Sequence, residues 1–258
     1  MPKSFAMRFL RFTCGVAALL AVLFGNAHAD SSQPLTVFAA ASTAGTLEEV
    51  ASLYEAAGHA RFRAVYASSG VLARQIANGA PADLYLSANA TWMDWLAERG
   101  AVDGDPIPLL GNRLVLIQAV GTSPLSLDDT LPAALANGRL AMGDPDHVPA
   151  GIYARQALES MGLWPALSPL AVRMKDVRAA LLLVQRGEAA AGIVYESDAL
   201  GDERLQVAAT FPDGSHDPIR YSVAVMKEGN RDAARRLLDF LRRPESAEVF
   251  RRHGFGLE

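Results

Sequence analysis

The sequence predicts an α/β fold of two lobes, each a mostly parallel sheet flanked by helices. Short apolar, β-rich runs alternate along the chain with segments whose apolar residues recur at helical spacing, the pattern of strand–helix units in a sheet covered on both faces. The chain has 258 residues, 50% of them hydrophobic, enough to bury one large core or two smaller ones. No tether rich in Pro, Gly or Ser and no internal repeat interrupts the series, so two lobes would be joined by crossing strands.

A buried strand over residues 35–41 opens the series. Leu47, Val50, Ala51 and Tyr54, at i, i+3, i+4 and i+7, mark the helix that follows, and Gly58 stops it. A second strand over 62–67 leads through Ser68-Ser69-Gly70 into a helix over 71–78, closed by Gly79. A third strand spans 83–87, and Trp92, Trp95 and Leu96 mark a third helix ending at Gly100. Strands over 113–119 and 139–143 begin the second half. A helix after Pro149 carries Ala154, Ala157, Leu158 and Met161 on one face. After a short strand over 170–174, Val177, Ala180, Leu181 and Val184 give another helical stripe, and residues 191–195 a strand. Strands over 205–211 and 221–226 precede two terminal helices, the first carrying Ala234, Leu237, Leu238 and Leu241.

Residues 1–29 stand apart from this fold and read as a secretory signal peptide. Lys3, Arg8 and Arg11 supply the positive start, residues 16–24 the apolar core, and Ala27-His28-Ala29 a small-residue cleavage site. A membrane anchor is the competing reading, but the apolar stretch over 14–25 falls short of the roughly 20 residues a spanning helix needs. Cys14 could carry a lipid, although Arg11-Phe12-Thr13 is not the small aliphatic approach such sites require. Cleavage after Ala29 removes three cations and the only cysteine. From Asp30 onward the chain has 24 − 3 = 21 Lys+Arg against 28 Asp+Glu, a net charge of −7. A soluble exported protein without thiols cannot form disulfides, use thiolate catalysis or hold metals through cysteine. Its acidic balance, with no basic run, argues against nucleic acid.

Ligands of open α/β sheets bind outside the carboxyl ends of strands. Four segments there share one design, a strand end followed by a small or hydroxylated residue and a helix start. They are Ala40-Ala41-Ser42-Thr43, Ala67-Ser68-Ser69-Gly70, Val148-Pro149-Ala150-Gly151 and Lys175-Asp176-Val177-Arg178. Each helix start presents unpaired N–H groups and about half a positive charge, so together they could hold an anion without a cationic side chain. Any one of them alone, Ser42 included, also reads as an ordinary helix cap.

Five motifs then carry a resemblance to a known family. Phe38-Ala39-Ala40-Ala41-Ser42, the run from Ala67-Ser68-Ser69 to Ile76, Gly79-Ala80-Pro81-Ala82-Asp83, the run from Gly143-Asp144 to Tyr153, and Gly192-Ile193-Val194-Tyr195-Glu196-Ser197-Asp198 occur in the order found in periplasmic molybdate-binding proteins of ABC transporters, which the chain resembles from about residue 35 to 255. The resemblance implies the type II periplasmic-binding-protein fold, with a cleft between lobe 1 (residues 30–112 and 212–258) and lobe 2 (residues 113–211). It implies a monomeric periplasmic receptor, without cofactor or bound metal cation, that takes up molybdate or tungstate and delivers it to a membrane permease. By motif, the oxyanion ligands are the hydroxyls of Ser42 and Ser69, the main-chain N–H groups of Ala150 and Val177, and the phenol of Tyr195. Ser68 is the alternative to Ser69. Gly70 departs from relatives with a third serine, a change expected to affect the turn more than the ligand set.

The chemistry of this set is coherent on its own terms. Molybdate is fully deprotonated at neutral pH and offers only acceptors, so a matching site offers only donors. A protonated phosphate would need an acceptor as well; Asp176 keeps that open, though at a helix start it also serves as a cap. Asp144, Asp146 and His147 have metal-like composition, but Pro145 and Pro149 among them suggest a rigid turn. Trp92 and Trp95 read as helix packing and Arg74 as half of an ion pair. Three functions remain: a molybdate and tungstate receptor, the same fold serving sulfate or phosphate, and an exported hydrolase using Ser42 or Ser69. The hydrolase would need a base among His59, His147, His216 and His253, none of which sits in a recognisable triad pattern.

Overall fold

A computed structural model describes residues 34–258. The expected signal peptide, with Lys3, Arg8, Arg11, Cys14 and the Ala27-His28-Ala29 site, lies outside the described residues. Strand β1 (Thr36–Ala40) passes through a 3-10 turn (Ala41–Thr43) into α1 (Ala44–Ala56). Strand β2 (Arg63–Ala67), α2 (Ser69–Ala77), β3 (Leu84–Ser87), α3 (Ala90–Glu98) and β4 (Ile107–Gly111) follow. Next come β5 (Leu114–Ala119), the single turn α4 (Leu131–Ala134), β6 (Leu140–Gly143), α5 (Pro149–Ser160), the turn α6 (Trp164–Leu167), β7 (Ala171–Met174) and α7 (Val177–Gln185). The chain ends with β8 (Ala191–Tyr195), the turn α8 (Glu196–Ala199), β9 (Leu205–Thr210), β10 (Arg220–Val225), α9 (Arg231–Leu241), α10 (Pro244–Arg252) and β11 (Gly256–Leu257).

These strands form two sheets, ordered β11-β4-β10-β3-β1-β2 and β7-β6-β8-β5-β9. Both are mixed, which corrects the expectation of mostly parallel sheets. In the first, β1 runs parallel to β2 and β3, while β10 and β11 pair antiparallel. In the second, β6 runs parallel to β7 and β8, and β5 pairs antiparallel with β8 and β9. The parallel strands are the ones linked by crossover helices, as parallel pairing requires. The antiparallel strands flank the two places where the chain changes sheet, between Gly111 and Leu114 and between Thr210 and Arg220.

The apolar stripes face the cores as their spacing predicts. Leu47, Val50, Ala51 and Tyr54 of α1 are buried, as are Val177, Ala180, Leu181 and Val184 of α7, which packs on β6, β7 and β8. Helix α1 ends where Gly58 takes φ +87°, a left-handed position that glycine occupies without strain. Two strands lack a periodic signal. Strand β4 contains Pro108, and its partner β10 shifts register at Tyr221/Ser222, while β11 has only two residues.

This topology aims the functional segments. Strands β1 and β2 are neighbours in one sheet, and β7, β6 and β8 are neighbours in the other. Ser42 and Ser69 follow the carboxyl ends of β1 and β2. Ala150 and Val177 follow β6 and β7, and Tyr195 ends β8.

Candidate anion-binding site

All five expected residues line one cavity. From the first sheet's side come Ala40, Ala41, Ser42, Ser68, Ser69 and Ala88; from the second come Val148, Pro149, Ala150, Asp176, Val177 and Tyr195. The space between these walls, counted out to the solvent edge, is about 210 Å³, which suits a solute of a few atoms. No Lys or Arg lines it. Ser42, Ser69 and Tyr195 are each at most 2% exposed, so these side chains are shielded from solvent.

The helix starts supply main-chain donors. Ala150 and Val177 lie in the first turns of α5 and α7, where N–H groups have no helical acceptor. Pro149 at the first position of α5 presets its φ for the helix. A methyl group on Gly151 would lie 2.1 Å from the Gly143 carbonyl oxygen, so glycine there lets the start of α5 press down onto the end of β6. Asp176 caps α7, its Oδ1 accepting the Ala179 N–H at 2.8 Å.

The hydroxyls are arranged differently from caps. Ser42 caps nothing: its Oγ lies 2.8 Å from the Tyr221 hydroxyl, and α1 starts at Ala44 with Thr43 in the cap position and no side-chain cap bond. The Ser69 Oγ accepts the Ala88 N–H at 3.0 Å, which leaves its own proton free, while the Ser69 carbonyl accepts the Tyr85 hydroxyl at 2.9 Å. Ser68 occupies the cap position of α2 without bonding its backbone. Its Oγ and the Tyr195 hydroxyl are both buried with no protein partner. Burial, reinforced by the neighbouring Tyr221, pushes the Tyr195 phenol well above its usual range, so it stays protonated and can donate. Orphaned buried hydroxyls are uncommon in folded proteins and imply an absent partner; here two of them line the same cavity.

Two hydrogen bonds join the two walls near the cavity. The Trp92 Nε1 donates to the His147 carbonyl at 3.0 Å, and the Tyr153 hydroxyl to the Ala88 carbonyl at 3.5 Å. Trp92 therefore does more than the expected helix packing. Gly70 also needs reinterpretation: it lies inside α2, and a Cβ there would meet the Trp92 ring at 2.5 Å and the His147 oxygen at 2.6 Å. Its consequence falls on the cleft contact rather than on a turn. Arg74, expected in an ion pair, instead lies over the Trp92 ring, 5.0 Å from its centroid. The Asp144 Oδ1 accepts the Asp146 N–H at 3.0 Å within its turn, and Asp146 faces Arg155 and Arg173. The other three histidines lie elsewhere: His59 stacks on Tyr54, His216 faces Tyr153, and His253 pairs with Glu49.

Comparison with known proteins decides the family. The profile of the bacterial extracellular solute-binding proteins matches residues 35–256. The chain belongs to that family. The molybdate-binding protein ModA of Escherichia coli is 42% identical over 258 residues, covering 98% of this chain and 100% of the relative. ModA of Haemophilus influenzae is 39% identical over 244 residues, 92% of this chain and 95% of the relative. Among solved structures, the periplasmic molybdate-binding protein of Azotobacter vinelandii matches with a TM-score of 0.76 at 25% identity, over 87% of this chain and 99% of the other. The sulfate-binding protein SubI of Mycobacterium tuberculosis shares the fold, with a TM-score of 0.72 at 17% identity over 87% and 86% of the two chains. This solute-binding protein is thus a transport receptor rather than an enzyme, and the hydrolase reading falls.

Tyr221, Asn112, Ala88 and the Trp92–His147 contact escape a reading of the sequence. Tyr221 sits in an apolar strand run and resembles core, and a main-chain donor such as Ala88 has no side-chain signature.

Proposed function

We propose that the protein is a periplasmic receptor that binds molybdate, and tungstate of nearly the same size and charge, and delivers it to the membrane permease of an ABC transporter. The ligand set is the hydroxyls of Ser42, Ser69 and Tyr195 with the N–H groups of Ala150 and Val177. What supports this reading is the direction of the hydrogen bonds: a cavity with the orphaned Tyr195 hydroxyl, a second orphaned hydroxyl on Ser68 beside Ser69, the helix-start N–H groups of Ala150 and Val177 and no cation suits an ion that only accepts. The names of the relatives at 42% and 39% identity agree with it. Net charge −7 after cleavage leaves recognition to local dipoles rather than long-range attraction.

A cavity this enclosed admits an anion only when its walls part, so the two sheets with their helices open and close around the ligand. The receptor acts as a monomer, its signal peptide removed near Ala29. Calorimetric titration with a panel of oxyanions tests the reading. Molybdate and tungstate bind tightly, sulfate weakly and phosphate hardly at all, because backbone donors cannot shrink around a smaller ion and a protonated ion meets only the Asp176 carboxylate, already engaged as a helix cap. Equal or tighter binding of sulfate or phosphate would transfer the protein to another anion. Intact mass of protein from the cell envelope tests the leader: a mass retaining residues 1–29, or lipid on Cys14, refutes the assignment.

A further inference from the structure

Ser42 has a hydroxyl that can donate or accept, yet an anion without protons needs it to donate. Its neighbours behind the cavity decide which way the proton lies. Tyr221 is fully buried on β10 and does not line the cavity; its hydroxyl lies 2.8 Å from the Ser42 Oγ. On its other side is Asn112, in the segment where the chain first crosses between sheets, with Nδ2 3.4 Å from the phenol oxygen and 2.8 Å from the Ser197 Oγ. The amide orientation of Asn112 is set independently, because its other terminal atom accepts the Arg113 N–H at 2.9 Å and must be oxygen.

We propose that Tyr221 and Asn112 are positioning residues that fix the polarity of the Ser42 hydroxyl, turning an ambivalent group into a donor aimed at the anion. The order of donors follows from their chemistry. An amide nitrogen only donates, so the phenol oxygen accepts from Asn112 and directs its single proton to Ser42. The Ser42 oxygen, having accepted, keeps its own proton for the cavity. Burial holds the Tyr221 phenol protonated, so the chain does not run backwards through a phenolate. Asn112 is held in turn by Ser197, two residues past Tyr195, so the serine on one side of the cleft is oriented through a residue anchored to the other side.

The inference rests on the anion reading above, and a double-mutant cycle separates the two. Molybdate affinity is measured by calorimetry for the wild type, Tyr221→Phe, Ser42→Ala and the double variant, with circular dichroism as the check on folding. Tyr221→Phe keeps the ring against Tyr195 and Phe255 and removes only the hydroxyl. We expect it to weaken binding by about 3- to 10-fold in the wild-type background, and by less than about twofold once Ser42 is alanine. An effect through packing alone would be equal in both backgrounds, and that result overturns the proposal, as does a change below twofold in the single variant. If Tyr221→Phe does not fold, Asn112→Ala replaces it in the same cycle and must likewise lose its effect in the Ser42→Ala background. A wild type that ignores molybdate refutes the anion reading itself, whereas a wild type that binds, with an additive cycle, refutes only the role of Tyr221 and Asn112.

Discussion

Replacing Ser69 by alanine removes two interactions that separate experimentally. The first is the proposed hydrogen bond to the anion, roughly 1.5–3 kcal/mol for a charged acceptor, which corresponds to about a 10- to 150-fold rise in the Kd for molybdate. The second exists without ligand: the Ser69 Oγ accepts the N–H of Ala88, a residue 2% exposed, and alanine leaves that donor buried and unpaired. Such a loss costs about 1–3 kcal/mol. At about 2–4 °C per kcal/mol for a chain of this size, the ligand-free protein should melt several degrees lower. Calorimetry reads the first loss and a thermal melt without ligand reads the second. A Kd within about twofold of wild type, with the circular dichroism intact, would remove Ser69 from the ligand set. An unchanged melting temperature would mean that the Ala88 bond is not worth what its burial suggests.

Tyr195→Phe is the contrasting case. Its hydroxyl has no protein partner, so molybdate affinity should fall in the same 10- to 150-fold range, by roughly the same charged hydrogen bond, while the ligand-free melting temperature holds or rises; a melting temperature that falls with affinity unchanged contradicts this. Trp92→Phe deletes the bond to the His147 carbonyl across the cleft and keeps a ring beneath Arg74. Stopped-flow release of molybdate should quicken by about 2- to 10-fold, and an unaltered dissociation rate would show that the contact does not hold the cleft shut. Asp198 carries a pH signature: burial pushes its carboxyl up to about 6 despite Arg178 at 3.0 Å. The folded side chain therefore holds its proton more tightly than the unfolded one, and its contribution to stability declines as pH rises from about 4 to 6 and is level above that. Asp198→Asn should abolish this decline in urea unfolding; a wild type that instead gains stability over the variant across the window has the opposite sign and refutes it.

What could be read from the sequence divides along physical lines. The helical stripes of α1 and α7 and the apolar runs of β1 and β8 are legible because burial on one face, or on both, dictates residue type at each position. Strand direction leaves no such trace. Strands β5 and β8 are equally apolar and pair antiparallel, whereas β6 and β8 pair parallel, so the mixed character of both sheets is invisible in composition. Strand β4 hides behind Pro108 and β11 behind its length. Charge is the obvious feature of the Arg74 side chain and suggests an ion pair, yet the flat guanidinium lies over the Trp92 indole ring instead.

The site divides in the same way. The strand ends and helix starts that bring Ser42, Ser69, Ala150, Val177 and Tyr195 to one cavity are visible as motifs, but motifs name residues and leave the direction of hydrogen bonds unspecified. A serine hydroxyl becomes a dedicated donor only when the protein occupies its acceptor side. The Ala88 N–H does this for Ser69, and the Tyr221 hydroxyl stands where it can do so for Ser42. Asp176 also lines the cavity, but its Oδ1 takes the Ala179 N–H, so it is the Oδ2 that is left for a protonated anion. Preference for an ion without protons therefore lies one layer behind the ligand set, in residues that read as core or as plain backbone. Exchanging these supports while keeping all five ligand positions should change which anion is preferred.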